Sequence, residues 1–211
     1  RSSEPGSVTW AEKVRLSASS PLGMTVVCTT GATLVTVTGV SSVAVSADGS
    51  WLARGERDGT VRVSAVESGA ERPPLKGHDD AVMAVAFNPQ GTHLATGSSD
   101  KTVRVWVVQT GQELPGIRAH DAGVTAVAFS SSGQCLASGS ADATVKLWDI
   151  ASGRGLQALK GHAGPVSAVA FSPDGKLLAS VERDRTVRRW ELGAGRRLAA
   201  LGRRLPWLGR R

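Results

Sequence analysis

The sequence predicts an all-β chain of stacked four-stranded antiparallel sheets, and three observations carry that prediction. The text repeats every 42 residues, each copy alternates short apolar runs with turn residues, and 25 glycines and 9 prolines punctuate the 211 residues. Hydrophobic residues make up 41% and charged residues 20%, the balance of a chain that buries a core rather than staying unfolded.

The period of 42 places His78, His120 and His162 in register, then Phe87, Phe129 and Phe171, then Asp58, Asp100, Asp142 and Asp184, and then Trp106, Trp148 and Trp190. The strong copies begin at Val82, Val124 and Val166, and a weaker one begins at Val40. That weak copy keeps Asp58, but Thr36, Arg54 and Ser64 stand where its sisters carry His, a hydroxyl and Trp, so it is expected to open first.

Within a copy the elements follow in order. Val82–Phe87 is apolar on both alternating faces, as a strand covered on both sides must be, and Asn88-Pro89-Gln90-Gly91 is a turn. His93–Gly97 gives a second strand, Ser98–Lys101 a tight turn, Thr102–Val108 a Val-rich third strand, and Gln112–Ile117 an outer fourth. A sheet with two apolar faces cannot stand alone, so successive sheets pack face to face, and a closed ring covers the ends.

These residues closely resemble the WD-repeat β-propeller family. Gly77-His78 with Asp100 and Trp106 match its marks, Gly161-His162 with Asp184 and Trp190 match them again, and Trp148-Asp149 is the dipeptide that names the family. The resemblance covers residues 40–201. It divides the chain into degenerate N-terminal strands at 1–35, blades at 36–77, 78–119, 120–161 and 162–203, and a basic tail at 204–211. Residues 1–35 could add strands at Met24–Thr29 and Ala32–Val37 as an incomplete further blade. Seven blades, common in the family, do not fit in 211 residues, and the chain begins without Met, so a fragment of a larger propeller is expected, closed by missing blades or another chain.

His beside Asp79, Asp80 or Asp121 invites a catalytic or metal reading, but a constellation copied in every repeat answers a need that every repeat shares. The resemblance implies a hydrogen-bonded network inside each blade: His78, Thr96, Asp100 and Trp106; His120, Ser138, Asp142 and Trp148; His162, Ser180, Asp184 and Trp190. Such a network supplies partners for a buried indole N–H and a buried imidazole. Glu182 replaces Ser98 and Ser140 of the sister copies, and Arg189 replaces Val105 and Leu147, charges that mark an edge, a partner surface or degeneration.

No P-loop, HExxH, CxxC or GxSxG motif occurs, so no enzyme, metal or cofactor is indicated. His93 is out of register and reads as an exposed strand residue, and Cys135 as a small buried hydrophobe. Cys28 and Cys135 form no framework, which favours an intracellular setting, cytoplasmic or nuclear. No run approaches the ~18 apolar residues of a membrane span, and Arg1–Pro5 lacks the sections of a signal peptide.

Function is then read as a non-catalytic scaffold for other proteins or peptides. The resemblance implies partner contacts on one rim, at Asp79, Asp80, Met83, Asp121, Thr125, Ser167, Arg57 and Arg183, joined by Ser99 and Ala141. Two alternatives stand beside it: a sensor module of a larger signalling protein, and RNA binding through the basic end. Residues 1–181 carry 15 basic and 15 acidic residues, whereas 182–211 carry 10 Arg against Glu182, Asp184 and Glu191. Arg183, Arg185, Arg188, Arg189 and the tail pairs could meet phosphates.

Overall fold

The computed structural model describes residues 14–17, 24–30, 33–115 and 117–192. They form four sheets whose neighbouring strands all pair antiparallel in sequence order, and no helix occurs among the described residues. The first sheet holds β1 (Val14–Ser17), β2 (Met24–Thr30), β3 (Thr33–Val45), β4 (Trp51–Glu56) and β5 (Val61–Ala65). The second holds β6 (Val82–Phe87), β7 (His93–Ser98), β8 (Thr102–Val107) and β9 (Ile117–Arg118); the third holds β10 (Val124–Phe129), β11 (Cys135–Ser140), β12 (Thr144–Asp149) and β13 (Gly155–Lys160). The fourth holds β14 (Val166–Phe171), β15 (Leu177–Glu182) and β16 (Val187–Glu191). Blades 1 to 4 below are the four copies in order. β3 runs unbroken through residue 36, so the N-terminal strands and blade 1 share one sheet.

The outer strand varies from blade to blade, and proline explains how. Blade 3 has no Pro between Arg154 and Lys160 and forms the full β13 ladder. In blade 2 Pro115 interrupts the segment, leaving a bridge from Trp106 to Glu113 and the short β9 in place of the expected strand Gln112–Ile117. In blade 1 Pro73-Pro74 reduce the outer strand to bridges at Val61–Leu75 and Ser64–Glu71, because proline donates no ladder hydrogen bond. The outer strand expected at Arg197–Leu201, and the basic tail, lie outside the described residues.

The core lies between blades. Ala53, Val61, Val63 and Leu75 of blade 1 pack on Val82, Leu94, Trp106 and Val108 of blade 2. The next interface joins Ala95, Val103, Val105 and Ile117 to Val124, Leu136 and Trp148, and the third joins Ala137, Val145, Leu147 and Leu159 to Val166, Leu178 and Trp190. Each fully buried Leu contributes about 2 kcal/mol by removal of apolar surface from water.

One contact fixes how closely the blades approach. A Cβ at Gly55, Gly97 or Gly139 would stand 2.6 Å from Cγ1 of Val82, Val124 or Val166, so each glycine seats the first valine of the next blade. The fourth equivalent position is Val181, and Arg189 stands where Val63, Val105 and Leu147 line the other interfaces. The outward face of blade 4 is therefore built differently from the three that receive a neighbour.

His93 is half-buried rather than exposed, with Nδ1 2.9 Å from the Thr92 hydroxyl. Cys135 is a half-buried free thiol that packs against the third core cluster, and burial pushes its pKa up, away from thiolate chemistry.

Candidate functional site

In blade 2 the network is a single chain of donors. The Trp106 indole N–H donates to Thr96 Oγ1 at 3.0 Å, the Thr96 hydroxyl lies 2.7 Å from His78 Nε2, and His78 Nδ1 lies 2.8 Å from Asp100 Oδ2. Burial pushes the His78 pKa down despite its bond to Asp100, so the ring is neutral. Burial also opposes ionisation of Asp100, but hydrogen bonds from the Thr102 hydroxyl and N–H and from His78 outweigh it and hold the carboxyl at about 2. An ionised Asp100 only accepts, so Nδ1 carries the imidazole proton and Nε2 accepts from Thr96.

Blade 3 repeats the arrangement. His120 Nδ1 lies 2.8 Å from Asp142 Oδ2 and Nε2 2.8 Å from Ser138 Oγ, which accepts from the Trp148 indole at 2.9 Å. Burial lowers the His120 pKa. Against its own burial Asp142 is held at about 2 by hydrogen bonds from Thr144 and from the Asp121 N–H. Thr102 and Thr144, which clamp the carboxylates, were not among the expected residues, although Thr60, Thr102, Thr144 and Thr186 recur at the period of 42.

Blade 4 corrects one expectation. His162 Nε2 meets Ser180 Oγ at 2.6 Å and the Trp190 indole donates to the same oxygen at 2.8 Å, but Nδ1 meets Glu182 Oε2 at 3.1 Å, where Asp184 was expected. The longer Glu182 side chain, 5% exposed, reaches from the end of β15 and also accepts the Ala163 N–H, the bond that Asp100 takes from Asp79. Asp184 accepts from the N–H and hydroxyl of Thr186 in the exposed turn. The signal was the acid at 182 where the sister copies carry serine.

In blade 1 an ion pair stands in the network's place. Arg54, 7% exposed, donates through Nη2 to Glu71, while Arg62 bonds Glu56 at 3.0 Å and Glu71 at 3.5 Å. The imidazoles of the other blades are buried with both nitrogens engaged, which suits them to hold loops rather than to exchange protons with a substrate. Among the described residues no group of three His, Cys, Asp or Glu side chains is placed to hold a metal ion, and no helix is long and apolar enough to cross a membrane.

What the staples hold is a row of paired loops. In blades 2 to 4 the turn between the second and third strands donates a backbone hydrogen bond to the loop before the first, Ser99 to Ala81 at 2.9 Å, Ala141 to Gly123 at 3.0 Å and Arg183 to Pro165 at 3.0 Å, and in blade 1 Arg57 makes the equivalent bond at 3.2 Å to Gly39 within β3. Neighbouring blades touch at the same level, since a Cβ at Gly59 would stand 2.6 Å from the His78 carbonyl and one at Gly123 3.2 Å from Ser99 Cα. Arg57, Asp79, Asp80, Asp121, Ser167 and Arg183 are exposed there, and Met83 presents 43% of its surface to solvent. Thr125 is half-buried, and its hydroxyl hydrogen-bonds to the carbonyls of Val166 and Gly139, which commits it to the junction of blades 3 and 4.

Comparison with known proteins agrees with this geometry. The computationally designed protein Ika4 is 34% identical, with a TM-score of 0.66 over 73% of this chain and 91% of its own. U3-55K, 24% identical, matches the fold with a TM-score of 0.69 over 86% of this chain and 53% of its own. No curated protein matches. The family model described as "WD domain, G-beta repeat" matches residues 23–63, 71–107, 111–149 and 153–191, more than half of the chain. Repeats of this kind serve in general as protein-interaction modules, and the chain is a β-propeller protein that belongs to the WD domain, G-beta repeat family.

Proposed function

We propose that this protein is a non-catalytic scaffold that binds other proteins or peptides through the rim of paired loops. The observation that carries the reading is the repeated backbone bond from turn to loop, which fixes Arg57, Asp79, Asp121 and Arg183 at one level of successive blades while leaving their side chains in water. Rigid loops order few groups on binding, so more of each contact appears as affinity. The rim runs from basic at Arg57 through acidic at Asp79, Asp80 and Asp121 to basic at Arg183, which favours partners with the opposite order of charge.

The test is a charge reversal at Asp79, Asp121 and Arg183, measured by quantitative capture of partner proteins. The triple variant should keep the wild-type melting temperature and lose the captured set; retention of that set would sink the rim reading. Binding of RNA that weakens steeply with salt and with loss of Arg183 and Arg185 would favour the nucleic-acid reading instead.

A further inference from the structure

The outer segment of blade 1 is one residue longer than the strand it borders. Val61 bridges Leu75 and Ser64 bridges Glu71, so three steps along β5 face four along the outer segment, and the surplus falls on Arg72-Pro73-Pro74. The bulge stands beside a cleft of about 540 Å³ between blades 1 and 2, floored by the buried Val63, Leu75, Trp106 and Val108 and open at the exposed Pro73, Pro74 and Thr110.

Arg72 is fixed at this cleft. Its guanidinium carbon lies 4.2 Å from the centre of the Trp51 ring, and Nη1 donates to the Gln109 carbonyl of the next blade at 2.6 Å. Its Nε is buried without a hydrogen-bond partner. Arg54, Arg104 and Arg188 share that orphaned Nε, so the surroundings distinguish Arg72. Arg54 and Arg104 are neutralised by Glu71 and Glu113, and those are the acids closest to the cleft in sequence. Arg72 and the exposed Lys76 both line the cleft, and neither has an ion-pair partner among the described residues.

Two uncompensated cations beside the exposed Pro73 and Pro74 select an apolar group that carries a negative charge. The guanidinium is already held by Trp51 and Gln109 and its Nε is buried, so Nη2 is the group left to give a carboxylate a charge-assisted hydrogen bond. We propose that this cleft is a docking site for an extended acidic peptide of a partner protein, with an apolar side chain at the mouth against Pro73 and Pro74 and a neighbouring carboxylate on Arg72 and Lys76. The site is separate from the rim and does not depend on the rim reading.

The experiment is fluorescence anisotropy on the full chain with a labelled, capped peptide alternating Glu and Leu. Binding should be one-to-one, and the Gln-Leu and Glu-Gly analogues should each bind about tenfold more weakly or worse, as expected when a charge-assisted contact or an apolar contact is lost. Arg72→Gln with Lys76→Gln should weaken the Glu-Leu peptide by at least about tenfold. Thr110→Trp, which fills the mouth from an exposed turn without touching either charge, should also weaken it and covers the case in which loss of Arg72 unfolds the chain. Arg183→Glu on the rim should leave the affinity unchanged. Equal binding of the Gln-Leu peptide, equal binding by the Thr110→Trp variant, tighter binding of octanoate than of the peptide, or no binding at all would overturn the proposal.

Discussion

His162 Nδ1 is held by Glu182 Oε2 at 3.1 Å, across a different pair of positions from the one that joins His78 to Asp100 and His120 to Asp142 at 2.8 Å. The staple is the same and the acid has moved two residues back, from the turn into the buried end of the strand. The two acids of this blade should then differ in cost. Glu182→Ala strands a buried imidazole N–H and the Ala163 N–H, a loss of about 2–3 kcal/mol, whereas Asp184→Ala removes an exposed turn contact and costs about 1 kcal/mol. In blade 3 Asp142→Ala should be the costly change. Urea unfolding of the three variants checks the order, and Asp184→Ala costing more than Glu182→Ala would show that the acid has not moved.

The glycine seats make a second contrast. A valine at Gly139 would drive a branched side chain into Val166, whose Cγ1 is 2.6 Å from the Cβ position, so Gly139→Val should destabilise by about 3 kcal/mol through overpacking. Val181→Gly at the equivalent place in blade 4 meets no seated valine among the described residues and should cost about 1 kcal/mol, the ordinary loss of strand propensity. Calorimetric melting of both variants measures the difference, and equal losses would mean that a blade-like neighbour already seats on Val181.

These contrasts show where the sequence was readable. The period of 42 located Trp106, Trp148 and Trp190 because a shared need leaves the same residue at the same place, and the family resemblance supplied their hydroxyl partners Thr96, Ser138 and Ser180. It could not place Glu182, because a glutamate two residues from the turn reaches the same imidazole by side-chain length, which spacing does not encode. Arg54 was read as loss of a network. In three dimensions it fills part of that space and finds Glu71, a partner on an outer segment whose path depends on Pro73-Pro74. Gly55, Gly97 and Gly139 were visible as repeats, but their role appears only where one blade meets the next.

The buried imidazoles predict how stability follows pH. Burial holds His78 and His120 below their ordinary value of 6.5, so as pH falls the unfolded chain binds protons before the folded one. Their contribution is full above 6.5 and is lost as pH falls through the window beneath it. Asp100 and Asp142, held at about 2 against 3.8 unfolded, contribute above 3.8 and lose that contribution as pH falls toward about 2. Denaturant unfolding across this range should show two declines, and His120→Gln should shrink the first. Stability that rises on acidification below 6.5 would contradict a neutral His78 and His120.

The tight turn after each second strand carries a repeated backbone strain. Lys101, Ala143 and Arg185 adopt φ of 73°, 64° and 72°, and Gly59 holds the same place in blade 1 at 83°. An L side chain in this left-handed region crowds the following carbonyl, at about 1 kcal/mol, and glycine does not. A single methyl group is removed from the half-buried Ala143, so Ala143→Gly should stabilise blade 3 by about 0.5 kcal/mol once the greater freedom of glycine in the unfolded chain is subtracted. The reverse change in blade 1 should be worse than strain alone, because a Cβ at Gly59 meets the His78 carbonyl at 2.6 Å, so Gly59→Ala should cost about 2 kcal/mol and loosen the loop that carries Asp79 and Asp80. Paired melting curves test both signs, and amide exchange at Asp79 and Asp80 should quicken only in Gly59→Ala; if Ala143→Gly destabilises instead, the turn is not strained at that residue.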